Sequence, residues 1–474
     1  MGHARRTGRV VVRLLARFGV IQASRLRATV DLAWPRIVTG FAIMSKRTVD
    51  LAIVGWALGS TAVAGLTFAN AYWMLGKFVA IGLAGGTIAL VSQSYGGGET
   101  GRASLVVRQS LLVAVGLALP ITAAFGLAAR PLVSVLGGDP VAIGYGAAYL
   151  AVVAPGIVFE FCNLIASRTY AGVGDTITPM TLRAGGAALN IVLSAVLVFG
   201  AGLGVVGAAL GTTVSTAVVT VAFAWGMTGR SYFGRGASPV PLTRTNSTTT
   251  FDRSLARQLV TVSAPLVARR VGQGVVVFPL LAIAATFGPV AVAAVGVGRQ
   301  VRALLNSFSW GFSIASSTLV GQALGGDDEP VAEAYGREIT RLSVVVYVLV
   351  AAVVFALARP VASVFVDTAA DVDLAAAFVR VAAVSVLPLG VDGSVTGALR
   401  GAGDTRIPFV ATMLGLYVFA LPVAWLGTVT ALGVLALQAA LLVETFVPMV
   451  VNVVRFRSGR WKAVSRSYRP SAGD

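Results

Sequence analysis

The stretch Met44–Gly55 reads MSKRTVDLAIVG and lies inside a segment otherwise apolar enough to cross a bilayer. Lys46, Arg47 and Asp50 put formal charges near its centre, where each costs about 2.5 to 3.5 kcal/mol unless paired or wetted. Lys46 and Asp50 are four residues apart on one helix face, and Arg47 lies three before the same carboxylate. One reading is therefore a structural ion pair. The other, which intramembrane carboxylates favour, has Asp50 facing a water-filled cavity, titrating or binding a cation, with Lys46 and Arg47 modulating the site.

The rest of the chain has the composition of a polytopic membrane protein. Hydrophobic residues make up 56% of 474 and charged residues 12%, with mean hydropathy +0.84, against about a quarter charged in soluble domains. The apolar stretches are long and unbroken rather than alternating, which predicts helices and not a barrel. The net charge of +18 comes from arginines clustered at segment ends, so it reads as topology and anionic-lipid contact, with no nucleic-acid partner. A single cysteine, Cys162, excludes an intrachain disulfide, and the only histidine is His3. Histidine triads, thiol–imidazole pairs and zinc sites are thereby excluded, and an enzyme is not expected.

Residues 1–28 form a basic segment with no long apolar core, neither a cleavable signal nor a span; Arg5-Arg6 is a poor twin-arginine signal. Val11, Leu14, Leu15 and Phe18 share one helical face and Arg9, Arg13 and Arg17 another, the pattern of a helix on a membrane surface, with a disordered basic arm as the alternative. Twelve spans follow, roughly 29–55, 62–91, 104–128, 141–170, 177–200, 204–227, 258–286, 289–321, 338–358, 376–399, 406–427 and 431–455. Arginines crowd the N-terminus, the loop with Arg102 and Arg108, and the linker with Arg230, Arg235, Arg244, Arg253 and Arg257. They also crowd the loop with Arg400 and Arg406 and the tail 456–474. All lie on one side, predicted to be cytoplasmic, with both termini there and the protein in the cell membrane. The opposite loops carry Asp139, Asp367, Asp371 and Asp373, read as solvated residues. Residues 228–257, rich in Ser, Thr, Pro and Arg, read as a linker between lobes 29–227 and 258–455. On the cytoplasmic side the Asn246-Ser247-Thr248 triplet is a chance glycosylation match.

The two lobes repeat. Gly59 matches Gly288, Gln93 matches Gln322, Arg130-Pro131 matches Arg359-Pro360, Gly172 and Gly174-Asp175-Thr176 match Gly401 and Gly403-Asp404-Thr405, and Pro179 matches Pro408, all at an offset of 229. Pro35 against Pro265 extends the match with a one-residue slip. Six spans per lobe make this a parallel repeat about an axis along the membrane normal, an organisation found in transporters.

These residues resemble the multidrug and toxic compound extrusion (MATE) transporters of prokaryotic type over about 29–455. The resemblance is carried by Val49-Asp50 with Val54-Gly55, Ser92-Gln93 with Gly96-Gly97-Gly98, Ala171-Gly-Val-Gly-Asp-Thr with Pro179, Asn190-Ile-Val-Leu, and Leu399-Arg-Gly-Ala-Gly-Asp-Thr. It implies an all-α polytopic fold, twelve transmembrane helices in two six-helix bundles forming a V-shaped cleft. It also implies export of amphipathic, often cationic small molecules by alternating access, in exchange for protons or sodium ions, with no cofactor and a monomeric protein. A flippase for lipid-linked oligosaccharide or another polar lipid is the alternative within the same superfamily. The resemblance carries a cation-coupling site onto Asp50, Asn190, Ser194 and Thr212, with Na+ at Asp50 and Asn190 as one option. Ser194 departs from the carboxylate or amide of related members, and Gln273 stands where some carry an acid in the seventh span.

At about 1.5 Å of rise per residue, Asp50 lies roughly 25 Å up the first span and Lys77 roughly 24 Å up the second, so the two are expected to be within touching distance unless Lys77 snorkels outward. Glu160, Asp392 and Glu444 are candidate cavity acids, with interior hydrogen-bonded residues as the alternative. Asp175 and Asp404 each follow a glycine, Gly174 and Gly403, where a helix ends, and are expected to cap the next helix, a structural and gating role. Gly82 with Gly86 and Gly207 with Gly211 are spaced for close helix approach, and Pro35, Pro155, Pro265, Pro279 and Pro388 for kinks.

Overall fold

The computed structural model describes residues 17–136, 139–232, 237–242, 251–363 and 369–468. The amphipathic face expected around Arg9, Val11, Arg13, Leu14 and Leu15, the linker arginines Arg235 and Arg244, the triplet 246–248 and Asp367 lie outside the described residues. The first half contains α1 (Ala23–Leu58), α2 (Ser60–Gly96), α3 (Thr100–Leu127), α4 (Pro140–Val153), α5 (Gly156–Gly172), α6 (Ile177–Ala195) and α7 (Gly204–Met227). The second contains α8 (Arg253–Val275), α9 (Val277–Ala285), α10 (Pro289–Gly325), α11 (Glu329–Ala356), α12 (Ala369–Gly401), α13 (Arg406–Met413), α14 (Leu421–Val429) and α15 (Val434–Arg457). A π-helical stretch continues α6 over Val196–Gly200, and another, Leu414–Ala420, joins α13 to α14.

Among the described residues nine helices are long and apolar enough to cross a bilayer, ten if α4 and α5, bent by 54° at Pro155, form one span. Proline at the break removes a backbone donor, which is why the bend falls there. Two further helices, α1 and α10, are 36 and 37 residues long, more than the ~20 that a bilayer requires. Their composition is diluted by charge: Lys46, Arg47 and Asp50 in α1, Arg299 and Arg302 in α10. With these two the helices match the twelve segments read from the sequence, in an all-helical, multi-pass fold.

The repeat is present in the backbone itself. Helices α2 and α10 begin and end at the same 229-residue offset, and so do α3 and α11. Left-handed backbone recurs at that offset too: Gly59 (φ 81°) and Gly288 (92°), Gly174 (95°) and Gly403 (80°), Gly204 (52°) and Gly433 (54°). The fourth pair joins Gly98 (φ 77°) to Asp327 (60°), the one non-glycine residue at positive φ among those described. Aspartate is among the few side chains that tolerate this region, so the turn survives the loss of its glycine.

The described chain separates into two compact units, Val38–Arg270 and a second made of residues up to Ile37 together with those from Val271 on. The division therefore falls inside α1 and α8 and not at the polar linker, because each of these helices changes packing partners along its length. Before Val38, Ala33 and Ile37 pack on Gly311 so tightly that a Cβ there would meet both at 2.8 Å, and Arg36 lies over the Trp310 ring. Beyond it, Ile53 and Val54 enter the core of the Val38–Arg270 unit. Likewise Ser263 and Val267 of α8 fill the space left by Gly86 and Gly82 of α2, where a Cβ at Gly82 would lie 2.5 Å from the Val267 backbone. Farther along α8, Gly272 accepts a hydrogen bond from the Tyr417 hydroxyl at 2.9 Å.

Candidate functional site

Both units hold carboxylates inside the helical core, and their surroundings differ. In the Val38–Arg270 unit, Asp50 is 7% exposed and Asn190, Ser194 and Thr212 are 0–5% exposed. Helix α1 supplies the carboxylate, α6 presents Asn190 and Ser194 one turn apart, and α7 supplies Thr212. The Asn190 amide spans Asp50 and Thr212: one end lies 3.0 and 3.1 Å from the two carboxylate oxygens and the other 3.1 and 3.0 Å from the Thr212 hydroxyl and N–H, and all four contacts are hydrogen bonds when the amide hydrogens are placed toward Asp50. The Ser194 hydroxyl is buried beside them, turned toward the Asp50 carboxylate. Gly211 makes this proximity possible, because a Cβ there would sit 2.7 Å from Ser194 Oγ. Gly207 does the same one turn away against Leu197. Tyr149, 4% exposed, also reaches this group through Thr212, a contact that nothing in its sequence context announces.

Among the described residues neither Lys46 nor Arg47 forms an ion pair with Asp50. Arg47 is exposed, and Lys46 points into a cavity it shares with Trp73, Lys77, Glu160, Asn163 and Arg183. The expected meeting of Lys77 with Asp50 is not found: Lys77 Nζ lies 2.9 Å from Glu160 Oε1. Arg183 Nη2 donates to the same oxygen at 2.9 Å. Equal depth along two helices leaves the rotation of each about its axis open, and rotation decides the partner. Asn163 is fixed by its own bonds, donating to the Thr216 carbonyl at 3.0 Å and accepting from the Thr220 hydroxyl at 3.1 Å.

In the other unit Glu444 is gripped by Arg302 and, at 3.3 Å, by Arg299. Both arginines come from α10, and Arg302 also donates to the Leu441 carbonyl at 3.3 Å. Each half thus holds one buried carboxylate between two cations, but not at equivalent positions: the 229-residue offset takes Glu160 to Leu389, and returns Glu444 to Ser215. Asp392 accepts from the Asn452 amide at 2.7 Å. Asp175 accepts from the Thr178 N–H at 2.9 Å, as a cap at the start of α6 does. Its repeat mate Asp404 departs from the capping role expected of it and accepts from Arg455 Nε at 2.6 Å. Gly174 and Gly403 both take the left-handed conformation expected at these helix ends.

The sequence alone does not single out Arg183, Arg299 and Arg302. Arg183 is a lone cation in an apolar segment, as Lys77 is, and Arg299 and Arg302 lie three residues apart in another. No group of three His, Cys, Asp or Glu side chains among the described residues is arranged to hold a metal ion.

The MatE family model matches residues 35–196 and 265–426, one match in each half. A probable multidrug resistance protein NorM of Bradyrhizobium diazoefficiens is 28% identical over 443 residues, covering 90% of this chain and 92% of that one. Multidrug and toxin extrusion protein 2 of Mus musculus is 23% identical over 412 residues, covering 84% and 68%. Among solved structures, a MATE protein crystallised in the straight conformation superposes with a TM-score of 0.85 at 21% identity over 93% of this chain and 97% of its own. A MOP superfamily transporter from Pyrococcus furiosus, described as having a binding pocket of reverse polarity, superposes with 0.84 at 22% identity over 93% and 96%. Matched over both repeats and through nearly its whole length, the chain belongs to the MatE family.

Proposed function

We propose that this protein is a secondary exporter of amphipathic small molecules that works by alternating access, with Asp50 as its ion-coupling group. The observation that carries the reading is a buried carboxylate within a membrane-spanning fold whose oxygens are held by one neutral amide and by no cation at ion-pair distance among the described residues. A carboxylate so placed has more reason to take a proton or a small cation than to serve as a structural ion pair. The names of the relatives, which describe multidrug resistance and extrusion, support export. The Ser194 hydroxyl beside Asp50 is the group available to share a proton held there. The cytoplasmic placing of both termini belongs to the same proposal and rests on the arginine-rich loops.

The cationic wall around Lys46, Lys77 and Arg183 favours a second reading, movement of a polar lipid with an acidic headgroup. The deciding experiment is uptake of a fluorescent amphipathic dye into inverted vesicles, driven separately by pH and sodium gradients, for wild type and Asp50→Asn. Gradient-driven uptake lost in the variant is the expected result, and the gradient that drives it names the ion. Gradient-independent movement of lipid, with no dye uptake by folded protein, would replace the exporter with the flippase.

A further inference from the structure

The cavity of the Val38–Arg270 unit has more positive charge than its one carboxylate can answer. Its charged lining is Lys46 from α1, Lys77 from α2 and Arg183 from α6, against Glu160 from α5 alone, a formal excess of two positive charges. The facing helix α7 contributes only the neutral Ser215, Thr216 and Val219. One turn beyond Lys46, Asp50 is already engaged by Asn190. Glu160 receives Lys77 and Arg183 on a single oxygen, Oε1. The Arg183 side chain is 8% exposed, yet its Nη1 is buried without a hydrogen-bond partner. Lys46 has no ion-pair partner among the described residues. An orphaned guanidinium donor and an unpaired ammonium on two residues that line one space are poorly placed for a cation and well placed for an acid group. Trp73 adds a flat apolar wall beside them.

We infer that this cavity binds the acid group of an amphipathic organic anion, a carboxylate, sulfonate or phosphate, seated between Arg183 Nη1 and Lys46 Nζ with its apolar body against Trp73. The inference deepens the exporter reading and rests on it only for calling the ligand a substrate; the binding itself stands apart. An anion bound there would offset part of that excess beside Lys46, which is one turn from Asp50, so its arrival and the ionisation of Asp50 are electrostatically linked.

The test is equilibrium binding to the full chain in phosphatidylcholine nanodiscs, with empty nanodiscs as baseline, of 8-anilinonaphthalene-1-sulfonate and of the lipophilic cation tetraphenylphosphonium. Saturable binding of the sulfonate, at least tenfold tighter than that of the cation, is expected. Lys46→Gln and Arg183→Gln should each weaken it about tenfold, and Lys46→Glu should reverse the preference, whereas the exposed Arg337→Gln should change nothing. Because Arg183→Gln also disturbs the Glu160 pair and can compromise folding, the two Lys46 variants carry the test independently. Adding phosphatidylglycerol separates the sources: competition with the sulfonate names a lipid phosphate, and its absence a soluble anion. Tighter binding of the cation, or sulfonate binding indifferent to both Lys46 variants, overturns the inference. Since no gradient is present, sulfonate binding without dye transport would sink the exporter alone, and Asp50-dependent transport without sulfonate binding would sink this inference alone.

Discussion

Replacing Glu160 with glutamine should cost more than replacing either of its partners, and the structure supplies the reason. The carboxylate is 7% exposed and accepts Lys77 and Arg183, 16% and 8% exposed, at 2.9 Å each. Glu160→Gln strands two buried cations at once, and breaking a buried pair by removing one member costs about 3–5 kcal/mol. Lys77→Met instead leaves Glu160 with Arg183, so the loss is that of one hydrogen bond to a charged group, about 1.5–3 kcal/mol. The double variant Glu160→Gln/Lys77→Met strands only Arg183 and should recover part of the loss. The assay is the fraction of protein remaining monodisperse after graded heating in detergent, read by size-exclusion chromatography at fixed pH and salt. The ordering wild type, Lys77→Met, double variant, Glu160→Gln, from most to least stable, is the expected result. A Glu160→Gln protein as stable as wild type, or less damaged than Lys77→Met, would refute the claim that this carboxylate holds two cations in place.

Gly82→Val should abolish folded protein, since even a Cβ would lie 2.5 Å from the Val267 backbone nitrogen of α8; the yield of monodisperse protein measures it. Glu338 ties down the chain before α1, accepting from the Gln22 N–H at 2.9 Å and from Arg25 at 2.6 and 2.8 Å. Glu338→Gln should speed hydrogen exchange at residues 19–26 at least tenfold and leave the Val38–Arg270 unit unchanged. Asp252 caps α8 through the Ser254 and Leu255 N–H groups at 2.8 and 3.1 Å. The Ser254 hydroxyl and these N–H groups hold its carboxyl below its ordinary range. Its folded form therefore keeps the charge at lower pH than the unfolded chain does. The cap is worth about 1 kcal/mol above the ordinary carboxylate range and is lost as pH falls through the depressed value. Hydrogen exchange at residues 253–258, corrected for intrinsic rate, should rise on acidification in wild type and be pH-independent in Asp252→Ala.

The helical membrane class, the helix count and the repeat are legible in the order of the residues alone. Apolar length is a property of consecutive residues, and a constant offset of 229 survives in matched helix ends and left-handed turns. The sequence also brought Asp50, Asn190, Ser194 and Thr212 to notice, by resemblance, as residues that the structure gathers around one carboxylate. Which side chains face one another is fixed by the packing of the helices. Lys77 shares the depth of Asp50 yet turns to Glu160, and Arg455 of α15 reaches across 51 residues to Asp404. The same packing also decides where the units divide, inside α1 and α8, while the change of composition lies in the linker. Depth and hydropathy are readable along one chain; the rotation of a helix about its axis, and the point at which it changes partners, are fixed by side-chain packing between segments far apart in sequence.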